Sequence, residues 1–311
     1  MGDQSCIACG ESLIRKQNFI VFDTRFGLAS IYGIISCAYC TLEFTNPAPS
    51  EVELDHLYKT YYNYSGEKGT IYVHLRHKFL LSALYRLWMK IDGDCSFHGL
   101  RGKGRLIDIG CNEGRGLSIY RKNGFDAEGL EINQAAASIA RAEGFTIYTD
   151  TIHKFYPDRP YDVVLLSNVL EHSLDQKIML SHVKTILKSG GQLWISCPNN
   201  RSWLRSLFGR YWINWHVPFH IVHFSPDGLR QLLEEAGFVI VEMRHETPAL
   251  WVAHSIIARL FARRGKPTAQ LRNPFLVAGL MLFIRVFLFP ILWLGNRLGR
   301  GDCLVVTAKK R

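Results

Sequence analysis

Three acidic residues, each at the end of a stretch with strand-like composition, are the first candidates for chemistry in this sequence. Asp108 lies in RLIDIG, Glu131 follows DAEGL, and Asp150 follows FTIYT. In a parallel sheet the carboxyl ends of the strands meet at one edge, so these strands would bring the three carboxylates to one pocket. Each residue alone would be an ordinary turn acid, whereas together they predict a site for a nucleoside.

The glycine-rich run GCNEGRG, residues 110–116, follows the first of these strands. A dinucleotide-binding turn needs a second glycine so that a pyrophosphate can approach the backbone, but Asn112 occupies that place here. The carboxylate of Asp108 would also repel a phosphate and attract a cation. A nucleoside that carries positive charge fits both observations, and S-adenosylmethionine, with its ammonium and sulfonium groups, is such a ligand.

The sequence therefore predicts an S-adenosylmethionine site. In this site Glu131 accepts hydrogen bonds from both ribose hydroxyls, and Asp150 accepts one from the exocyclic amine of adenine. The predicted contacts come from the glycine turn and the ends of the next strands. They are Asp108, Gly110, Asn112, Gly114, Glu131, Ile132, Asp150, Thr151, Ser167 and Asn168.

Two cysteine pairs near the N-terminus have the spacing of a metal site. Cys6 and Cys9 form one pair, and Cys37 and Cys40 form the other. Two residues between the members of a pair let both thiolates face one ion, and two such pairs complete a tetrahedral shell for zinc. A closed four-thiolate shell leaves no open position, so this predicted zinc would be structural. Unmetallated or redox-active thiols are the alternative.

From residue 104 onward, strand-like and helix-like stretches alternate. RLIDIG, YDVVLLS and GQLWISC are apolar runs of strand length, and intervening stretches such as NQAAASIARAEG have helical character and end at a glycine. This alternation predicts an α/β fold, a doubly wound parallel sheet with helices on both faces and with ligands beyond the carboxyl ends of its strands.

The segment from about 104 to 245 resembles the class I S-adenosylmethionine-dependent methyltransferases, especially the type 11/type 23 group. The matching pieces are DIGCNEGRG, GLEIN, YDVVLLSNVLEHSLD, LKSGGQLWISCPN and HFSPDGLRQLLEEAGF. The resemblance implies a Rossmann-like sheet of seven strands, with GDCLVVTAKK as the antiparallel last strand. The front end, from CIACG onward, resembles the zinc-bearing front of sugar methyltransferases, although Thr41 and Glu43 depart from the usual CGLVF.

The fourth strand narrows the chemistry that the resemblance implies. Methyltransferases that act on exocyclic amines of nucleobases have an N/D-P-P-Y/F tetrad there, and this sequence has Asn168-Val-Leu-Glu-His instead. Oxygen or carbon methylation remains, and both usually need a base to remove a proton. Histidine titrates near neutrality, so His172, His216 and His220 are the predicted catalytic residues.

Other roles are open for these histidines. His172 could be structural, lining the methionine end of the cofactor site. The spacing H-x3-H-x2-H of His216, His220 and His223 could hold a metal, but no carboxylate is nearby in the sequence and aromatic residues crowd it. His223 precedes a predicted helix that Ser225 would cap, and it is interpreted as structural.

The predicted sixth and seventh strands are separated by about 55 residues where this fold usually has a short hairpin. The stretch from Leu276 to Leu294 is apolar except for Arg285 and Pro290, and it approaches transmembrane length. Because the last strand must return to the same sheet, we expect a helical hairpin that dips into one leaflet. A buried cap, a dimer interface and a true span are the alternatives. The cations that would face lipid phosphates are Arg259, Arg263, Arg264, Lys266 and Arg272.

These patterns predict four regions. They are a zinc-ribbon-like module over 1–50, a helical linker over 51–103, a methyltransferase domain over 104–248 plus 301–311, and a hydrophobic helical insertion over 249–300. In the linker, apolar residues recur at helical spacing between Leu75 and Leu87, which predicts an amphipathic helix.

The leading functional hypothesis is a methyltransferase acting on a glycan, a nucleotide-sugar or a lipid-linked small molecule. The formal charge of +10 fits an anionic partner such as a membrane surface, or serves solubility alone. The remaining cysteines are scattered, which favours a reduced cytosolic setting. The apolar insertion predicts that the protein is peripheral on the cytoplasmic membrane. An RNA methyltransferase and a non-enzymatic cofactor-binding scaffold are the alternatives, with nucleic acid disfavoured by the missing tetrad. The oligomeric state stays open.

Overall fold

The computed structural model describes residues 5–61 and 78–311. Within them, eleven strands form two sheets. In chain order the strands are β1 (Leu13–Phe22), β2 (Ile31–Cys37), β3 (Glu43–Asn46), β4 (Arg105–Ile109), β5 (Asp126–Leu130), β6 (Ile147–Tyr148), β7 (Tyr161–Ser167), β8 (Leu187–Pro198), β9 (Val222–His223), β10 (Phe238–Glu246) and β11 (Cys303–Lys310).

The larger sheet has seven strands in the order β10-β11-β8-β7-β4-β5-β6. Strand β11 pairs antiparallel with both of its neighbours, and the other pairs are parallel. The predicted Rossmann-like sheet is therefore confirmed. Strand β4 lies between β5 and β7, so the direction of winding reverses there and a crevice opens beyond its carboxyl end. Asp108 and Ser167 stand on the two strands that border this crevice.

The strands are accompanied by the following α-helices, some of which share buried clusters with the two faces of the large sheet. They are α1 (Glu51–Tyr61), α2 (Ala83–Asp92), α3 (Arg115–Lys122), α4 (Gln134–Ala142), α5 (Gln176–Ile186), α6 (Trp203–Phe208), α7 (Pro226–Glu235), α8 (Ala249–Phe261), α9 (Pro274–Phe287) and α10 (Phe289–Arg297). The predicted cap of α7 is present, because Ser225 Oγ accepts a hydrogen bond from Gly228 N and Pro226 opens the helix. The helix expected in the linker from Leu75 begins outside the described residues, and its later part is α2.

One helix ends earlier than its sequence pattern predicts. The pattern carries α5 on to Gly190, but the helix stops at Ile186 and β8 begins at Leu187. Leu187 pairs with Tyr161, and the register then shifts before Val163 pairs with Gln192. Gly190 has a φ of +69°, which a helix does not accommodate. A bulge at the start of β8 therefore replaces the last predicted turn of helix.

The smaller sheet joins the front of the chain to the methyltransferase part. Its order is β1-β2-β3-β9, and β9 follows the histidine-rich segment far along the sequence. Cys6, Ala8 and Leu42 belong to the same buried cluster as Leu229 and Leu232 of α7. The front is thus packed on the main sheet and its helices through a shared core.

The insertion between β10 and β11 is helical. Helix α8 is largely buried and packs with Trp212 and Trp215, whereas α9 and α10 meet at a bend of 73°. No single described helix is long and apolar enough to cross a membrane, although the bent pair α9–α10 meets that test jointly by length and composition. Arg285, in the middle of the apolar stretch, turns inward and pairs with Asp92 at the end of α2.

Candidate cofactor pocket and histidine cluster

The glycine turn after β4 depends on residues that tolerate positive φ. Gly110, Asn112 and Gly114 have φ values of +74°, +51° and +75°. A Cβ on Gly110 would lie 2.8 Å from Cγ2 of Val169, so a larger residue there would collide with the end of β7. Asparagine is one of the few other residues that adopt this conformation readily. The backbone conformation of the predicted turn therefore requires residues such as the two glycines and the asparagine found there.

Glu131, just beyond β5, fastens this turn. Its Oε2 accepts a hydrogen bond of 2.9 Å from Asn112 N, and its Oε1 accepts one of 2.7 Å from Asn133 N. Each carboxylate oxygen retains a second lone-pair direction. The contacts therefore hold the carboxylate in one orientation beside the glycine turn, as an acceptor for a ligand must be.

A cavity of about 310 Å³ opens at the end of β4. Asp108 is buried in its wall, and burial together with the negative charge of Glu131 raises the pKa of Asp108 to about 7. A cationic ligand would stabilise this carboxylate, whereas a phosphate would destabilise it. The lining residues are Ser96, His98, Asp108, Gly110, Cys111, Asn112, Glu113, Arg115, Gly116, Tyr120 and Ser167.

The predicted cofactor residues divide into two groups. Asp108, Gly110, Asn112 and Ser167 line the cavity. Next to these lining residues, Gly114 caps α3, Glu131 binds the amide of Asn112, and Asn168 follows Ser167 in the chain. The others lie outside its lining: Ile132 is 58% exposed, and Asp150 and Thr151 are exposed two and three residues beyond β6.

One wall of the cavity, formed by Ser96 and His98 on the loop after α2, was not predicted from the sequence. Asp94 shapes this loop, because its carboxylate accepts hydrogen bonds from the amides of Ser96, His98 and Gly99. Tyr120 Oη donates to Ser96 O over 2.8 Å, and Tyr85 Oη lies 2.7 Å from His98 Nδ1. An aspartate followed by a glycine five residues later was the available signal, but it indicates only a turn.

The predicted catalytic histidines form one cluster, and its first member, His172, is five residues beyond Ser167 in the cavity wall. The ring centroids of His172 and His220 are 4.6 Å apart, and those of His216 and His220 are 4.9 Å apart. The cluster also lies close to the glycine turn, because Val169, which contacts Gly110, is three residues before His172. His223 lies on β9, 3.0 Å from Thr45 Oγ1, at the seam between the two sheets.

Burial keeps these imidazoles neutral. Desolvation lowers the pKa of His172 to about 4 and lowers the pKa values of His216 and His220 well below their usual range. Two backbone carbonyls select the tautomers: His172 Nδ1 donates to Phe219 O over 3.0 Å, and His220 Nδ1 donates to Asn214 O over 2.8 Å. In both rings the lone pair is therefore on Nε2.

A carboxylate does lie in this cluster, contrary to the sequence-based argument against a metal. Glu171 Oε1 is 4.0 Å from His220 Nε2, and the Glu171 side chain is fully buried. The residues are 49 positions apart in the sequence, and they meet because the histidine-rich segment folds back on the turn after β7. Burial raises the pKa of Glu171 to about 8.

Aromatic residues from the front of the chain cover the cluster. Phe26 packs against His216 and Phe219, with ring centroids 5.8 and 5.4 Å away. Tyr58 of α1 places its hydroxyl 2.8 Å from His172 Nδ1. These aromatic side chains shield the histidine cluster from water.

The four predicted zinc ligands converge. Sγ separations are 3.4 Å for Cys6 and Cys40, 3.3 Å for Cys9 and Cys37, and 3.7 Å for Cys9 and Cys40. A zinc ion with Zn–S bonds of about 2.3 Å holds its sulfurs about 3.8 Å apart. The side chains present therefore fit a tetrahedral zinc site.

The seven-stranded sheet and the carboxylate-walled pocket at its switch point define an S-adenosylmethionine-binding methyltransferase fold. The model of the methyltransferase domain family matches residues 72–243, more than half of the chain. The chain belongs to this family of methyltransferase domains. The predicted family and fold class are thereby confirmed.

Individual relatives are distant. A protein of Aeromonas salmonicida named ubiquinone biosynthesis O-methyltransferase is 26% identical over 159 residues, covering 47% of this chain and 66% of that protein. A protein of Mycolicibacterium smegmatis named a probable S-adenosylmethionine-dependent methyltransferase is 29% identical over 164 residues, covering 51% and 60%. The chain thus matches less than two thirds of the length of these curated relatives. A methyltransferase structure from Archaeoglobus fulgidus aligns with 78% of this chain and 100% of its own, with 22% identity and a TM-score of 0.46.

Proposed function

We propose that this protein transfers the methyl group of S-adenosylmethionine to an oxygen, or an activated carbon, of a glycan or lipid-linked small molecule. The observation that carries the proposal is the cavity at the end of β4, with the buried Asp108 carboxylate in its wall and Glu131 fixed beside its glycine turn; a cluster of neutral histidines involves the segment after β7, whose last residue, Ser167, lines the same cavity. Transfer of a labelled methyl group from S-adenosylmethionine to cell-envelope acceptors tests it.

The chemistry requires a cation site and a proton acceptor side by side. S-adenosylmethionine supplies an electrophilic methyl group on a sulfonium. As the acceptor oxygen bonds to that methyl carbon, the carbon–sulfur bond breaks and its electron pair stays on sulfur, while the hydroxyl proton leaves. We assign the acceptance of this proton to one of His172, His216 and His220, because a neutral imidazole has a free lone pair and burial keeps these three neutral. Oxygen is favoured as the acceptor because the Aeromonas relative is named as an O-methyltransferase.

We also propose that the four clustered cysteines near the N-terminus bind a structural zinc ion. We expect Cys37→Ser to lose most of the bound zinc, because three thiolates no longer close the shell. We also expect its melting temperature to fall by at least about 5 °C, since the cysteines share a core with α7. Metal analysis and thermal unfolding of the reduced protein measure both quantities.

Cys95→Ser is the matched control, because Cys95 lies outside the cluster. It should keep one zinc per chain. Wild-type protein without stoichiometric zinc, or a Cys37→Ser variant that retains it, would contradict the zinc proposal while leaving the methyltransferase proposal intact.

Lipid-linked acceptors are suggested by the outer face of the insertion. On α9 and α10 the residues Phe275, Leu282, Phe283, Val286, Phe287, Ile291, Trp293 and Leu294 are exposed, between 46% and 88%. A contiguous exposed apolar surface of this kind marks an interaction site. The cations predicted to face lipid are all exposed: Arg259 lies in the last turn of α8, and the others, from Arg263 to Arg272, lie between α8 and α9. Apolar surface beside positive charge fits an anionic membrane.

The insertion also contacts the candidate acceptor site. Ser255 Oγ of α8 accepts a hydrogen bond of 3.1 Å from Ile213 N, three residues before His216. Ala249, Val252 and Ala253 of α8 are buried against Trp212 and Trp215 of the same segment. Helix α9 packs on α8, and α8 packs against the histidine segment. A membrane bound to α9 and α10 would therefore be connected to that segment through α8. The strands that flank residues 249–300 are neighbours in the sheet, so a short turn could join them if the insertion were deleted. The deletion would, however, expose the core that α8 forms with Trp212 and Trp215.

The membrane proposal is tested better by changing exposed side chains. We expect the double variant Phe283→Ser/Phe287→Ser to lose at least tenfold in affinity for vesicles of phosphatidylcholine and phosphatidylglycerol. The reason is that burial of each phenylalanine contributes about 1.5–3 kcal/mol. Co-flotation at low salt measures the effect, with Tyr156→Ser, an exposed aromatic residue outside the insertion, as control. A wild-type protein that stays at the bottom of the gradient, or a double variant that floats as well as wild type, would rule out this surface as the docking site.

A further inference from the structure

Glu171 is the most unusual polar side chain in the described part of the chain. It has no exposed surface, and neither of its carboxylate oxygens has a hydrogen-bond partner among the described residues. A buried carboxylate without a partner costs several kcal/mol in general, so such a group is normally paired with a cation, a proton or an ordered water. The question is which of these Glu171 faces.

The two histidines next to Glu171 favour a cation as its partner. One ligand atom each from Glu171, His172 and His220 lies within 4.8 Å of the others. In both histidines Nδ1 donates to a backbone carbonyl, Phe219 O or Asn214 O. This is the usual arrangement around a metal-binding histidine, because the carbonyl fixes the ring and leaves the Nε2 lone pair for the ion.

We propose that Glu171, His172 and His220 bind a divalent first-row transition-metal ion. Two histidines and one carboxylate form a common three-ligand set with open coordination positions. Ligands about 2.1 Å from one ion stand about 3–3.5 Å apart. The observed 4.0 Å between Glu171 Oε1 and His220 Nε2 therefore needs a closure of up to about 1 Å, and separations of up to 4.8 Å within the three-atom set need a closure of at most about 1.8 Å.

The position of this site gives the ion a task, and this part rests on the proposed function. The site follows β7, whose end borders the cofactor cavity, and Val169 between them contacts the glycine turn. An open coordination position there would hold the acceptor's hydroxyl oxygen and lower the pKa of that hydroxyl. His216, whose ring centroid is 4.9 Å from that of His220, would then be the histidine left to accept the proton.

Cobalt(II) binding to the zinc-loaded protein tests the metal site without any methyl transfer. Cobalt bound by the cysteine cluster shows intense sulfur-to-metal absorption, whereas cobalt bound by nitrogen and oxygen shows only weak visible bands. We expect one cobalt per zinc-loaded chain with the weak bands alone. Glu171→Gln and His220→Gln should each reduce the affinity at least tenfold, since each removes one of three ligands.

His153→Ala is the matched control, because His153 is an exposed histidine that could bind cobalt adventitiously. It should bind cobalt like wild type. The proposal is overturned if wild type binds no such cobalt, or if a folded Glu171→Gln variant, checked by its near-ultraviolet circular dichroism, binds cobalt as tightly as wild type. In either event Glu171 would be partnered by a proton or a water. Methyl transfer by the metal-free protein would still support the proposed function, so the two failures are distinguishable.

Discussion

Replacing Glu131 by alanine is expected to weaken S-adenosylmethionine binding at least tenfold. In our proposal the variant would lose the acceptor for two ribose hydroxyls, and hydrogen bonds to a charged group contribute about 1.5–3 kcal/mol each. It also releases the amides of Asn112 and Asn133, so the glycine turn loses the contacts that hold it in place. Titration calorimetry with S-adenosylmethionine measures the change in the dissociation constant.

Glu143→Ala is the appropriate control, since Glu143 is an exposed residue at the end of α4. It should bind the ligand as wild type does. A Glu131→Ala variant with an unchanged dissociation constant would show that the ribose is held elsewhere. Binding of NAD in place of S-adenosylmethionine by the wild type would show that the glycine turn had been misread.

Arg285→Met is expected to lower the free energy of unfolding by about 3–5 kcal/mol, the usual cost of leaving a buried charge without its partner. The side chains of Arg285 and Asp92 are only 5% and 12% exposed. The guanidinium donates to the Asp92 carboxylate and also to the carbonyl oxygens of Asp92 and Thr247. The substitution therefore leaves one carboxylate and two carbonyls without this donor. Urea denaturation measures the difference.

Arg297→Met provides the comparison on the neighbouring helix, where the arginine is exposed and lies over the Trp293 ring. We expect it to change stability by less than about 1 kcal/mol. An Arg285→Met variant as stable as this control would mean that α9 is not anchored to α2. The insertion would then be free to leave the core, and a deeper membrane insertion would become the better account.

The parts of the fold that the sequence predicted depend on local chemistry. The glycine turn needs positive φ at Gly110 and Gly114, and Asp108 and Glu131 follow directly from the strands that carry them. The two cysteines of each pair lie close together because only two residues separate them in the sequence. The alternation of apolar strands and helices was enough to obtain the parallel sheet, whereas its antiparallel last strand came from the resemblance to the methyltransferase family.

The features that escaped prediction depend on contacts between distant segments. His98 reaches the cavity only because the loop after α2 crosses the end of β4. Glu171 meets His220 across a fold-back that no spacing rule describes. Arg285 looked like an interruption of a membrane-facing stretch, but its role is defined by Asp92, almost two hundred positions earlier. Side-chain partners at such separations are properties of the packed structure and not of any sequence window.

The central claim is tested most directly by following the methyl group. Wild type and Asp108→Ala would be incubated with S-adenosylmethionine labelled in its methyl group and a detergent-solubilised cell-envelope fraction, with an RNA fraction in parallel. We predict that wild type transfers label to a lipid- or glycan-containing product with equal formation of S-adenosylhomocysteine, and that Asp108→Ala does not. Label found only in RNA would contradict the proposed acceptor, and tight binding of S-adenosylmethionine without transfer to any fraction would indicate a cofactor-binding scaffold instead of an enzyme.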